Sequence, residues 1–299
     1  MSLKTSLSFL ATDISQMPPP AKYGNKAIEA VSFNRADLED GNWELVWKNV
    51  EIACKNYLPK NVTYHFPMND SDYVEDEWVY SKLIEAYRRV NDLDLSGMVI
   101  HSNRIKTFSE WSLLNVRDEQ KKVLDRLKSL VKTTKKAPSS WLGLENMPLV
   151  GNSGYDIDPL FCFVSDFENL PDGVGIVWDI CHAVSTVEYL HAHEEKRLKE
   201  DLTLRTSNDD YLDFVTLQRK IQHYHFAGVK GLNDPESNKV CVEGVLPTES
   251  SIPEGVYIKA VKLMDKMSPG ASINFEVQER NYYERDTAPI ILNWVKGCL

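Results

Sequence analysis

Six short apolar runs in this 299-residue chain each stop at a side chain able to ligate a metal. Val62-Thr63-Tyr64 runs into His65, Met98-Val99-Ile100 into His101, and Trp141-Leu142-Gly143-Leu144 into Glu145. Gly175-Ile176-Val177-Trp178 ends at Asp179, with His182 three residues on. Ile221-Gln222-His223-Tyr224 ends at His225, and Ala271-Ser272-Ile273-Asn274-Phe275 at Glu276. Buried strands favour β-branched and aromatic residues, and a charge at the end of one is unfavourable unless paired or bound to metal. One such ending is a strand meeting solvent. Six along one chain gather the C-terminal ends of many parallel strands around one site, which is the geometry of a (β/α)8 TIM barrel.

The rest of the chain fits that expectation. Eight β-type segments, at about 6–11, 27–33, 61–66, 97–102, 140–145, 174–179, 221–226 and 271–277, are separated by helical ones. The helices are placed at about 43–57, 72–92, 108–134, part of 185–222, 252–267 and 286–297. In 108–134, Trp111, Leu114, Val116, Val123, Leu124, Leu127, Leu130 and Val131 follow the helical period, and Asp70-Ser71-Asp72 has the composition of an N-cap for 72–92. Alternating strand and helix implies a parallel sheet with right-handed crossovers. Gln16-Met17-Pro18-Pro19-Pro20 cannot be helix interior, so the first crossover helix is short or missing. The crossover in 146–173, rich in Gly, Pro and Asp, is read as irregular too. Segment 227–251 is too long for a plain βα loop and contains the strand-like Lys239-Val240-Cys241-Val242; it is read as a loop insertion, of hairpin type, over the barrel mouth. No linker interrupts the chain, so 1–299 is read as a single domain.

The net charge of −10 argues against a nucleic-acid partner. The basic clusters Lys121-Lys122, Lys132 with Lys135-Lys136, and Lys196-Arg197 lie in helical stretches and are read as solvated faces. Five dispersed cysteines without CxxC spacing point to reduced thiols and a cytoplasmic location. No apolar run approaches the roughly 20 residues of a membrane-spanning helix, and no signal-peptide pattern opens the chain.

Mixed carboxylate and imidazole ligands suit zinc, manganese or cobalt. Glu145, Asp179, His225 and Glu276 offer four ligands to one ion, and His65 and His101 can hold a second beside Glu145, which can bridge. His223 shares the strand side of His225 one layer deeper, as a partner of the ligands or simply an interior residue. His191 and His193 lie on a charged helix and are read as solvated. Tyr64, Phe66, Trp178 and Phe226 adjoin the ligands and either wall a pocket or pack in the core.

The ordered motifs Tyr64-His65-Phe66-Pro67, Val99-Ile100-His101-Ser102, Gly143-Leu144-Glu145-Asn146, Trp178-Asp179-Ile180-Cys181-His182-Ala183, His223-Tyr224-His225-Phe226 and Phe275-Glu276-Val277 resemble the endonuclease IV / xylose isomerase-like superfamily over about residues 60–280. In its sugar isomerases and epimerases, the resemblance implies, residues matching Glu145, Asp179, His225 and Glu276 hold one divalent metal. The two glutamates there flank the substrate and exchange protons next to a carbonyl. In endonuclease IV, residues matching His65, His101 and Glu145 hold one zinc, those matching Glu145, Asp179, His225 and Glu276 a second, and the one matching His182 helps hold a third. This chain departs from endonuclease IV where an Asp-x-His pair would complete the third site: the region reads Val240-Cys241-Val242-Glu243-Gly244. The Asn-Asp that follows the strand-seven histidine there is replaced by Phe226-Ala227-Gly228. The expected function is therefore a sugar isomerase or epimerase using one or two divalent ions, zinc or manganese, on a small sugar-like molecule. Glu145 and Glu276 would transfer protons and His182 would hydrogen-bond a substrate hydroxyl. The alternatives are an endonuclease IV-like phosphodiesterase acting on damaged DNA and a metal-dependent dehydratase or lyase.

Overall fold

The computed structural model describes residues 2–133, 139–151, 156–192, 210–233 and 239–299. Eight parallel strands close a barrel: β1 (Lys4–Leu10), β2 (Ala27–Val31), β3 (Val62–His65), β4 (Gly97–Ile100), β5 (Trp141–Glu145), β6 (Val174–Asp179), β7 (Ile221–Phe226) and β8 (Ser272–Phe275). Each pairs with the next in sequence, and β8 with β1. The chain is a (β/α)8 TIM barrel, and all eight expected strands are present with ends shifted by two residues or fewer.

Amphipathic helices wrap the barrel. Glu77–Asp92 buries Val79, Tyr80, Leu83, Ala86, Tyr87 and Val90, one stripe at helical spacing. Its N-cap is Asp76, which accepts from Trp78 N and Val79 N, rather than the expected Asp70–Asp72 stretch. Asp72 instead closes a preceding turn, accepting from Val74 N (2.9 Å) and Glu75 N (3.2 Å). The continuous helix expected over 108–134 is divided into one turn, Phe108–Trp111, and a helix Val116–Val131 capped by Asn115. The Asn115 side chain competes for the amides of residues 117 and 118, so a new helix starts there. The first crossover carries only a 3-10 turn, Ile14–Gln16, and a single helical turn, Pro20–Tyr23, as the proline run requires. Within 146–173 the described residues form a two-residue strand and a 3-10 turn, Val164–Phe167.

Past β7 the chain forms a hairpin, Gly228–Lys230 against Val242–Val245, three residues later than the strand-like stretch at 239–242 suggested. Gly244 sits at φ +80, and a Cβ there would lie 2.9 Å from the Glu276 carbonyl oxygen, so the hairpin packs directly on the segment after β8. At the opposite end, the Trp141 ring lies beneath the barrel, stacked 5.4 Å from His223. A Cβ on Gly97 would fall 2.0 Å from that ring. Gly97→Ala is therefore expected to lower unfolding free energy by about 1–3 kcal/mol, because the ring must move off His223. Urea titration checks this; an unchanged midpoint would show that the ring yields freely. Among the described residues no helix is long and apolar enough to cross a membrane.

Candidate metal and substrate site

The strand register brings the polar ends together. Asp179 on β6 is aligned with His225 on β7, His225 is aligned with Asn274 on β8, and the Glu276 amide donates to the Phe226 carbonyl. His225 Nδ1 thereby lies 3.1 Å from Glu145 Oε1 and 3.2 Å from Glu276 Oε1. It has hydrogen-bond geometry to neither. One ligand atom each from Glu145, Asp179, His225 and Glu276 falls within 4.8 Å of all the others. Lone pairs converging without hydrogen bonds between them suit a cation at their centre.

A second set shares Glu145. Its Oε2 is 3.4 Å from His65 Nε2 and 3.0 Å from His101 Nε2. His65 Nδ1 contacts the Phe66 carbonyl at 2.9 Å, and a carbonyl only accepts. The His65 proton is thus on Nδ1, and Nε2 turns a lone pair toward a carboxylate. Two acceptors at that distance call for a proton or a metal between them. Both donor sets fit a divalent ion.

In the layer beneath, where the sequence placed His223, sequence reasoning missed Glu29. Glu29, in the middle of β2 and fully buried, reaches across the barrel interior. Its carboxylate receives His223 Nε2 (3.0 Å), His225 Nε2 (3.2 Å) and Asn274 Nδ2 (3.0 Å). Glu29 holds a His225 proton on Nε2, so Nδ1 is the nitrogen that would give its lone pair to an ion between Glu145 and Glu276; burial opposes charge on this ring, but Glu145, Glu276 and Glu29 raise it well above the usual imidazole range. The visible signal was a lone charge within the apolar run Ala27–Val31. His223 is a buried interior residue bonded to the same Glu29 carboxylate as His225, its Nδ1 meeting Ser272 Oγ at 2.7 Å. Asn146 was also missed: its side chain donates to the Asp179 carbonyl (3.0 Å) and accepts from the Asp179 amide (2.7 Å), tying β5 to β6 at the ligands.

A cavity of about 640 Å³ opens above the candidate ligands, with His65, His101, Glu145, His182 and Glu276 at its floor and Phe33, Ile105 and Tyr282 at its rim. Tyr64, Phe66, Trp178 and Phe226 do not wall it; all are core residues. Alternation decides this, since each neighbours an inward-facing ligand and so faces the helices. Trp178, for example, packs on Phe214 and Phe226 on Tyr257.

Residues 21–297 match the model of the xylose isomerase-like TIM barrel family. The chain belongs to this family. No curated protein matches it by sequence. Among solved structures it is similar to a D-tagatose 3-epimerase-like protein, at 18% identity and TM-score 0.60, covering 99% of this chain and 97% of that one. A protein from Thermus thermophilus soaked with ZnCl2 superposes at TM-score 0.61 and 13% identity, covering 99% and 98%. D-Allulose 3-epimerase from Methylomonas sp., in complex with D-allulose, does so at TM-score 0.59 and 13% identity, covering 99% and 97%.

In this xylose isomerase-like barrel the buried charges polarise one another. Burial pushes the Glu145 carboxyl up, but the His225 and His101 imidazoles outweigh it and hold it well below the usual carboxylate range. Burial raises Asp179 against the pull of His182. Burial, then the charges of Glu145 and Asp179, lift Glu276 to about 7, although it faces the cavity with a side chain 34% exposed. His101 is pushed down to about 4 by burial. His182 goes the other way: burial opposes its charge, but Asp179, Glu243 and Glu145 raise it to about 9. Its Nδ1 lies 2.8 Å from the Asn146 carbonyl, which fixes the ring at the cavity floor, 3.4 Å from Glu145 Oε1. His191 is exposed on the helix Ile180–Ala192, whereas His193 lies outside the described residues.

Proposed function

We propose that the chain is a divalent-metal-dependent isomerase or epimerase of small sugar-like molecules. The observation that carries this reading is the placement of two carboxylates, Glu145 and Glu276, on either side of His225 Nδ1 at the floor of one cavity. Epimerases among its structural neighbours, such as a D-tagatose 3-epimerase-like protein and a D-allulose 3-epimerase, point the same way. Glu145, Asp179, His225 and Glu276 would hold the ion, zinc or manganese. What such an ion supplies is polarisation of a substrate carbonyl.

The chain's own residues do the rest. One of Glu145 and Glu276 takes the proton from the carbon next to the carbonyl. The C–H pair becomes the C=C bond of an enediolate, and the carbonyl oxygen takes the negative charge. The other glutamate returns a proton, to the opposite face of the same carbon in an epimerase, or in an isomerase to the former carbonyl carbon, while the proton of the neighbouring hydroxyl passes to the former carbonyl oxygen and a carbonyl forms at the carbon that lost its hydrogen. His182, His65 and His101 border the same floor and are assigned to substrate hydroxyls. The test is incorporation of solvent deuterium into ketoses and aldoses by the metal-loaded protein; no exchange with any of them rejects the reading.

A second reading rests on the His65–His101–Glu145 set, which would hold a second ion for phosphodiester cleavage. On the isomerase reading, metal analysis is expected to give about one ion per chain. Replacing His65 and His101 together with Ala is expected to leave that count unchanged while kcat/KM falls about tenfold or more. A count that falls by one in the double variant, with incision of abasic-site DNA by the parent, promotes the phosphodiesterase.

A further inference from the structure

We propose that Glu243 is a specificity-determining residue that confines this cavity to uncharged sugars and turns away phosphate esters and sugar acids. This rests on the isomerase reading of the floor and names the substrate class which that reading leaves open.

Size does not exclude a phosphate. At about 30 Å³ per water-sized group, the cavity of about 640 Å³ holds roughly 20 such groups, and a hexose phosphate has about 16 non-hydrogen atoms. Charge does exclude it. Among the described residues no lysine or arginine lines the cavity, whereas Glu145, Glu243 and Glu276 do. Asp179 joins Glu145 and Glu276 in the candidate ligand set, and carboxylate ligands are ionised when metal is bound. These four carboxylates then face a divalent ion and, counted as a cation, His182. Four negative charges against three positive leave the pocket negative before substrate enters, and an incoming anion meets repulsion.

Glu243 is the carboxylate of these four that lies outside the ligand set. The hairpin fixes its place. Gln278 Nε2 donates to the Glu243 carbonyl at 2.7 Å, and the Gln278 amide donates to the Gly244 carbonyl at 2.7 Å. Burial opposes charge on His182, and the carboxylates of Asp179 and Glu243 beside it favour that charge. Glu243 is thus held over the floor where a substrate must pass.

The groups that would hold a phosphate are already bonded within the chain. Phosphates are held by Arg, by Lys or by unsatisfied amides at helix starts, and in TIM barrels often by the loops after strands seven and eight. After β7 this chain presents Glu243. After β8, Glu279 takes the amides of Thr287 (2.6 Å) and Ala288 (3.0 Å) at the start of the helix Ala288–Cys298. After β2, Asp37 takes the amides of Phe33 (2.7 Å) and Asn34 (3.1 Å), and after β6 Asp179 takes that of His182 (3.0 Å). Arg104, next to Ile105, is buried against Asp72 (2.6 Å) and Glu119. Arg285, three residues past Tyr282, is buried against the carbonyls of Ser8 and Gln16.

The experiment is calorimetric titration of the metal-loaded protein with D-fructose, D-tagatose and D-ribulose, each beside its terminal phosphate ester. At least one free ketose is expected to bind about tenfold or more tightly than its ester at low salt. Repulsion is screened by salt, over about 30 Å at 0.01 M and about 3 Å at 1 M, so the ratio should shrink as NaCl is raised. Glu243→Gln should shrink it about threefold or more at low salt. Esters that bind as tightly as the ketoses, binding of no ketose, or a ratio that neither salt nor Glu243→Gln changes overturns the proposal. The last outcome would mean exclusion by shape. Deuterium exchange run in parallel separates the two ideas. A preference for free ketose without exchange on any sugar rejects the isomerase and leaves the charge filter, and equal exchange on ketose and ester does the reverse.

Discussion

Glu276→Gln is expected to lower solvent-deuterium incorporation by about 10²–10⁴-fold, the range for loss of one positioned acid–base group. The substitution keeps an oxygen that can still face the ion and removes the ability to carry a proton. The metal count should therefore stay at that of the parent, and this separates a lost proton carrier from a lost ligand. Glu276 is the member of the four-ligand set with its side chain most open to the cavity, at 34%, against 2% or less for Glu145, Asp179 and His225. A substrate carbon can reach it without displacing protein. Mass spectrometry of recovered sugar reads the exchange directly. Rates within about threefold of the parent, at equal metal content, would remove Glu276 from the chemistry.

The strand ends were legible because a buried charge is unfavourable without a partner. The sequence could carry six such charges at regular intervals only if they partnered one another or an ion. That argument points to His65, His101, Glu145, Asp179, His225 and Glu276 from the sequence alone, and the structure brings them into two sets sharing Glu145. The same logic applies to Glu29, but it sits mid-strand with its partners on β7 and β8, far away in sequence, so only barrel closure reveals them. The aromatic neighbours of the ligands were harder to place, because adjacency in a strand means opposite faces. The rim residues Phe33, Ile105 and Tyr282 lie in βα loops, where no periodicity tells which side chain turns toward the mouth. Helix starts failed for a local reason. Asp70, Asp72 and Asp76 are equally good caps by composition, and the choice of Asp76 depends on which turn packs against the barrel.

Glu29→Gln is expected to weaken metal binding about 10–100-fold, the usual effect of removing the group that orients a ligating histidine. In the parent three donors, His223 Nε2, His225 Nε2 and Asn274 Nδ2, converge on a carboxylate that only accepts. A carboxamide places an NH2 where one of those donors points. The cheapest relief is for His225 to move its proton from Nε2 to Nδ1, which puts a hydrogen into the space between Glu145 and Glu276 and removes the lone pair offered there. Affinity should therefore fall even though Glu29 does not line the cavity. Competition with a chromogenic chelator measures it. The d–d spectrum of the Co²⁺-loaded variant should change with loss of the nitrogen ligand, a signature that mere loosening of the core would not produce. Unchanged affinity and spectrum would mean that His225 keeps its tautomer without Glu29, leaving that carboxylate a packing group. Glu29→Asp, which keeps the charge on a shorter arm, should recover part of the affinity if orientation of His225 is the cause.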